Sequence, residues 1–312
     1  MDPLSRVLDL VTVESVVSSR LEAGGTWALA FPGVRHVKFG AVHRGEVWLR
    51  ADGDEIRLGA GDCFVLTTGR GYTVASAPGL QAVDGLPFFR AAVGNAVRLG
   101  DDVEAVLTGG RFVLDARSAG LLLDVLPPVL VVDAAAEHAE PLRWALALFG
   151  HETAAPRPGA ALMATRLGQV VFVEALRAAL AADERVVGGW LAALGDPRIG
   201  PVLHRMHDDP ARRWTVPELA GVAHLSRSGF ADRFRTLVGA PPLEYLLRLR
   251  MHVAGRALHR TDATVSAVGA AAGYTSDAAF SNAFKRVMGV SPSGWRALPE
   301  VREPADVTDA AR

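Results

Sequence analysis

Two short runs of side chains carry groups suited to reading the edges of base pairs. On one face of a helical pattern lie Ser228, Ala231, Asp232 and Arg235, opposite Phe230, Phe234 and Leu237 at i, i+4 and i+7. Fifty residues on, Ala278, Ser281, Asn282 and Lys285 lie opposite Phe280, Phe284 and Val287. An Asp carboxylate accepts from cytosine N4, an Asn amide pairs bidentately with adenine, and an Ala methyl touches the thymine methyl. Neither set holds a Gln, and Arg stands only at the margin, so a bidentate guanine contact falls to Arg227 or a neighbour. Asp232 has a second reading, as an ion pair along its own helix with Arg235 or Arg233. Arg233, Arg235, Lys285 and Arg286 suit phosphates, which fix register without reading sequence.

The elements that must hold these side chains repeat. Phe230, Phe234, Gly239 and Pro242 recur as Phe280, Phe284, Gly289 and Pro292, while Ala223 corresponds to Ala272, one residue closer. The second copy therefore carries one extra residue in its turn. Each copy reads as a short helix, a tight turn and a second helix behind a Ser or Thr N-cap, a helix-turn-helix. Between the copies, Leu243 to Leu258 reads as one helix begun after Pro241-Pro242. Such a rod is about 24 Å long. That length suits two recognition helices roughly 34 Å apart, one turn of duplex, so both could enter successive major grooves.

Charge is segregated in the same way. From Pro197 to Ala297 fourteen Arg and Lys stand against seven Asp and Glu, while the whole chain carries a net −1. A basic segment on an otherwise acidic chain is the footprint of a polyanionic partner.

These residues closely resemble the DNA-binding domain of the AraC/XylS family of bacterial transcription regulators, most of all over AAGYTSDAAFSNAFKRVMGVSPSGWR, residues 271–296. The resemblance implies two helix-turn-helix units joined by a long central helix, with RNA polymerase as a partner and activation as the commoner outcome. Carried over by position, base-facing sites fall on Ser228, Ala231 and Asp232 with Arg227 beside them, and on Ala278 and Asn282 with Asp277 beside them. One departure stands out. The turn position usually held by Gly is His224 in the first copy, whereas the second keeps Gly273; His can adopt positive φ, at a cost.

Ahead of this segment, residues 10–115 read as many short strands punctuated by Gly turns, a sandwich or small barrel. The run VHRGEVWLRADGDEIRLGAGDCFVLTTGRGYTV, residues 42–74, resembles the cupin-type barrel that such regulators carry as a sensor. Enzymatic cupins hold a metal on a His-x-His pair, a Glu and a further His; here only His36 stands near those positions, so neither a metal nor a cofactor is expected. No catalytic constellation is visible either. A barrel can still enclose one small molecule. Trp27, Phe39 and Trp48 could line its cavity, with Arg35, His36, His43 or Arg70 for an anionic group; alternatively the aromatics fill the core and the polar groups are on the surface. Cys63, the only cysteine, reads as buried packing.

From Ala119 to Leu194 the pattern turns helical, clearest over Pro141–His151 and Ala160–Ala182. A helix apolar around much of its circumference wants cover on more than one side, which points to a homodimer through 160–182. No run is long and apolar enough to span a bilayer, and no secretory signal is visible, so the cytoplasm is expected. The expectation is an α+β multidomain chain. It has a cupin-like β-barrel sensor over 1–118, a helical linker and dimerisation region over 119–196, and an all-α DNA-binding domain over 197–298. A polar disordered tail over 299–312 follows. Its function would be sequence-specific binding of double-stranded DNA under the control of a small-molecule effector. The rival readings are a barrel serving only dimerisation or a protein partner, and a metal-dependent cupin enzyme fused to a DNA-binding module.

Overall fold

The computed structural model describes residues 2–10, 13–33, 37–92, 96–114, 120–123, 125–154, 157–182 and 189–298. The expected tail over 299–312 lies outside them. The chain opens with α1 (Pro3–Leu10) and passes through β1 (Val13–Ala23), β2 (Ala28–Phe31), β3 (Val37–Arg44), β4 (Glu46–Ala51), β5 (Asp54–Gly59), β6 (Cys63–Leu66) and β7 (Tyr72–Ala75). Then come β8 (Val83–Asp84), α2 (Leu86–Arg90), β9 (Ala96–Leu99), β10 (Ala105–Leu114), α3 (Gly120–Leu123) and β11 (Val129–Val132). The remainder is helical: α4 (Glu140–Ala154), α5 (Ala160–Ala182), α6 (Gly189–Ala193), α7 (Gly200–Asp208), α8 (Val216–Val222), α9 (Arg227–Val238), α10 (Pro242–Arg260), α11 (Val265–Ala271), α12 (Asp277–Met288) and α13 (Pro292–Ala297).

Two compact units form, and they do not follow a linear division of the chain at 118 and 196. A sheet unit takes Val13–Leu114 and Leu126–Val186; a helical unit takes Met1–Thr12, Asp115–Val125 and Val187–Arg302. The region expected to be helical from Ala119 contains a strand, β11. Its sequence VLVV is a short β-branched run bounded by Pro127-Pro128 and Asp133, and it completes an edge by pairing with β6. Thr67 at the end of β6 fixes the approach, its hydroxyl donating to the Pro127 carbonyl at 2.7 Å.

In the sheet unit, six strands in the order β11-β6-β3-β10-β1-β9 and five in the order β5-β4-β7-β2-β8 share a core. Leu21, Val42 and Leu107 of the first sheet meet Leu29, Val47, Leu49, Leu58 and Val74 of the second. The Gly-marked turns hold: Gly53 and Gly61 both sit at φ 96, and Asp62 ties its turn by accepting from the amides of Gly59 and Ala134 at 2.8 Å. Cys63 is buried beside it, and burial first, then the Asp62 charge, push its thiol up to about 12. It stays protonated and packs as a small apolar group.

Strand alternation gives the six-stranded sheet a second face, covered by α4 and α5. Phe39 stacks on Phe112 at 4.6 Å and meets Phe149 of α4 at 5.6 Å, and Phe112 lies 5.0 Å from Phe172 of α5. α5 therefore buries Val171, Phe172, Ala175 and Leu176 while Leu162, Met163 and Val170 stay exposed.

The helical unit is built on α10, whose 19 residues make a rod of about 28 Å. Pro241 and Pro242 open it, as expected from the sequence, and Thr261 ends it in an extended conformation. α1 packs on α7 and α10 in the same unit, with Arg6 paired to Asp208 at 2.7 Å and Asp9 to Arg256 at 2.5 Å. Against α10 lie α11, α12 and α13, whose Phe280, Phe284 and Trp295 form one core with Met251, Ala254 and Leu258. The Trp295 indole N–H donates to the Gly255 carbonyl at 3.1 Å, and the ring rests so close to Gly255 that a Cβ there would lie 3.1 Å from Nε1.

Candidate nucleic-acid interface

All four helices of the two helix-turn-helix pairs start on a capped first turn. α8 opens with a reciprocal capping box between Thr215 and Glu218, and α9 with Ser226 accepting from the Gly229 amide at 3.2 Å. In the second unit Thr264 caps α11 and Ser276 caps α12. Gly239 and Gly289 end α9 and α12 in the left-handed conformation.

The turns between the paired helices are alike in hydrogen bonding. His224 N donates to Gly221 O and Leu225 N to Ala220 O; Gly273 N donates to Ala270 O and Tyr274 N to Gly269 O. Both central residues are left-handed, His224 at φ 52 and Gly273 at φ 85. His224 projects from an open site, and Arg198 at the approach to α7 donates to its carbonyl at 2.8 Å and to that of Ala223 at 3.3 Å. Glycine at 273 answers a second demand, since a Cβ there would come within 2.2 Å of the Ala211 carbonyl oxygen. The extra residue of the second copy is Thr275, whose hydroxyl accepts from Arg213 at 3.4 Å.

Phe230, Phe234 and Val238 are the buried stripe of α9, with Leu237 half-buried; Phe280 and Phe284 are buried in α12, with Val287 half-buried. The apolar stripe of α9 thus ends one residue later than i+7 spacing predicts. The opposite faces are outward: Arg227, Ser228 and Asp232 are exposed and Ala231 is half-buried, and Asp277, Ala278 and Asn282 are all exposed. Arg227, Ser228 and Ala231 border an open depression of about 550 Å³, closed on its other side by Val216, Pro241, Pro242 and Leu243. In sequence, Pro241, Pro242 and Leu243 mark only the start of a helix. Its signal is Leu243, an apolar side chain on the first turn of α10 that stays 44% exposed.

The four expected phosphate contacts divide. Arg233 donates from Nη2 and Nε to Asp196, at 2.5 and 3.4 Å, and Asp196 also accepts from the Arg198 and Ile199 amides at 2.9 Å. Partial burial raises the Asp196 carboxyl, but Arg233 and the two amides outweigh it and leave the pKa lowered. Arg233 is thus a strut between α9 and the turn before α7. Arg235 pairs with Asp232 at 3.7 Å, both side chains largely in water, so this pair is weak and gives way readily to a base or phosphate. Lys285 and Arg286 are exposed on the last turn of α12.

Beneath this surface, His207 and Tyr245 join α7 to α10 by a buried 2.6 Å hydrogen bond. Burial is the first cause that brings the His207 pKa down to about 4, so the ring is neutral near pH 7.

The sequence matches a cupin family model over residues 2–181 and a helix-turn-helix domain model over residues 219–298. A Streptomyces lividans protein named as an AraC-like transcription regulator is 42% identical over 301 residues, covering 96% of this chain and 99% of the relative. The chain belongs to the AraC-like transcription regulators. A more distant relative is the RCS-specific HTH-type transcriptional activator RclR of Escherichia coli, 27% identical over 303 residues, 95% of this chain and 97% of that one. Among solved structures, the DNA-binding domain of AdpA in complex with a target DNA is similar at 33% identity over 32% of this chain and 90% of that one, with a TM-score of 0.31.

The described residues among those expected to bind an effector lie on different sides of their strands. Trp27 lies in the core between the two sheets. Phe39 faces α4 and α5 instead, because it alternates with Lys38 and Gly40. Trp48 stands between the core residues Val47 and Leu49 and so points from the other side of its strand. His43 is on the Phe39 side, its Nε2 2.8 Å from the Thr108 hydroxyl; burial first, then Arg20, lowers its pKa. Arg70 is exposed and paired with Asp52. Arg35 and His36 lie outside the described residues.

Proposed function

We propose that this regulator recognises a specific duplex sequence through α9 and α12 together and activates transcription through contacts with RNA polymerase in the cytoplasm. Supporting this most directly are two capped helices in one helical unit built on a rod of about 28 Å, each presenting short polar or methyl side chains outward. Ser228, Ala231, Asp232 and Arg227 would meet one major groove, and Asp277, Ala278 and Asn282 the next. Lys285, Arg286 and, once released from Asp232, Arg235 would meet phosphates; Arg233 would act from behind as a support. A small molecule bound in the sheet unit would bias DNA occupancy.

A homodimer through α4 and α5 completes the reading. Trp144 is 71% exposed and Leu162 63% exposed, with Leu148, Met163 and Val170 on the same two helices. Large apolar groups so displayed favour a partner surface, and a second copy supplies it. Genome-wide mapping of bound sites, followed by footprinting on the selected promoters, tests the proposal. Protection over one turn of the duplex with two contacted major grooves is the expected result; diffuse, sequence-independent occupancy would overturn it.

A further inference from the structure

We infer that Arg250, acting through the loop over 209–214, fixes the number of base pairs that must separate the two elements read by α9 and α12; this rests on the proposal that both helices read one duplex. Arg250 is a positioning residue. It stands near the middle of α10, between Tyr245 and Met251. The Tyr245 ring lies 5.9 Å from Phe234 of the first helix-turn-helix, and Met251 shares a core with Phe280 and Phe284 of the second. From this place the Arg250 Nε donates to the Pro210 carbonyl at 2.6 Å and its Nη2 to the Arg212 carbonyl at 2.9 Å. A planar guanidinium that spans two carbonyls at once holds the loop in one position over α10.

The loop is closed on itself and tied to both reading units. Within it, the Trp214 indole N–H donates to the Asp209 carbonyl at 3.0 Å, and the Asp209 carboxylate accepts from the Arg212 amide at 3.1 Å. Toward the first unit, Arg212 donates to Glu218 of the α8 capping box at 3.2 Å, and Trp214 directly precedes the Thr215 cap. Toward the second, the Ala211 carbonyl fills the space that a Cβ on Gly273 would need, and Arg213 donates to Thr275, one residue before the Ser276 cap of α12. Neither exposed tie is strong alone. Together with the Arg250 fork they join the two units by a path that runs beside α10 rather than along it. A single rod sets the distance between the units it carries and leaves torsion about its axis to side contacts; a second tie off that axis fixes the torsion. DNA reports torsion directly, because each base pair added between two read elements turns one against the other by about 35°.

Binding of the full chain to a set of duplexes tests this. The set holds the selected operator and forms of it with one base pair added to, or removed from, the stretch between the two read elements. The protein should bind the selected spacing about tenfold or more tighter than either neighbour, the size of a lost base contact. Arg250→Met should erase most of that ratio. A residue that only supports the fold would lower affinity for every spacing alike and leave the ratio unchanged, so the ratio is the decisive readout. Circular dichroism verifies that the variant is folded; where Arg250→Met is not, Arg250→Lys, which keeps the stem and charge but lacks the fork, takes its place. The inference is overturned if a folded Arg250 variant keeps the ratio of the parent, or if the parent binds all spacings alike. Footprints of the parent keep the two questions apart: protection of one element only removes the reading by two helices, whereas two protected elements with a ratio indifferent to Arg250 remove this inference alone.

Discussion

Asn282 and Lys285 lie three residues apart on the exposed side of α12, and their removal should leave opposite signatures on DNA binding. An Asn amide paired bidentately with adenine discriminates by about 1–3 kcal/mol, so Asn282→Ala should weaken a selected operator by roughly 5- to 150-fold. On random duplex the same change should do almost nothing, because no base is read there. Lys285 sits on the last turn of α12, where its ammonium suits a phosphate. Lys285→Ala should weaken operator and random DNA alike, and the slope of log K against log salt should shrink by about 0.9, the contribution of one released counterion. Fluorescence anisotropy at several salt concentrations, with an operator selected from a random library, measures all four quantities. Both exposed positions tolerate alanine without unfolding, which unfolding curves would verify. Equal losses on both DNAs for Asn282→Ala, or an unchanged salt slope for Lys285→Ala, would refute the assignment of the outer face of α12.

The two helix-turn-helix turns should respond oppositely to exchange of their central residues. His224→Gly relieves left-handed strain of about 1–2 kcal/mol and returns about 0.5–1 kcal/mol to the unfolded chain, so thermal unfolding should show an unchanged or slightly more stable protein. Gly273→Ala should cost at least about 2 kcal/mol, since its Cβ would collide with the Ala211 carbonyl as well as strain φ; equal tolerance at both sites would contradict this. The buried His207 makes stability fall with acid. With its pKa near 4 in the folded state and about 6.5 unfolded, the unfolded chain takes the proton first, so stability present above pH 6.5 should drain by about 3 kcal/mol on the way to pH 4. His207→Gln should flatten that part of the urea-midpoint profile, and a profile unchanged by it would assign the acid sensitivity elsewhere. Leu162→Glu with Val170→Glu should yield monomers in sedimentation velocity; Val171 lies on the covered face of α5, so acidic substitution there would test folding instead. An intact dimer carrying both exposed-face changes would refute that interface.

The parts legible in the sequence are those whose geometry is local. The spacing of Phe230 and Phe234, repeated at Phe280 and Phe284, specifies which side of each helix is buried, because a helix fixes direction every 3.6 residues. The anomaly at His224 was legible for the same reason: one turn position requires positive φ whatever surrounds it. The ion pair of Arg233 is not legible in the sequence because its partner, Asp196, lies 37 residues upstream and reaches it only through the packing of α7 against the first helix-turn-helix. The strand β11 was missed because four apolar residues carry no period long enough to separate strand from helix, and only an unpaired edge on β6 decides the matter.

The same distinction explains why the outward face of α12 follows from the sequence and the interior of the sheet unit does not. A recognition helix needs only its own sequence to orient Asn282 outward. A site inside a sandwich depends on which strands pair and in what register, and a slip of one residue would turn Lys38 from the interior to the face under α4 and α5. Phe39 and His43 have chemistry suited to a ligand, yet both occupy that outer parity, because β3 pairs with β10 and β6 in a register that turns Val42 rather than its neighbours into the core.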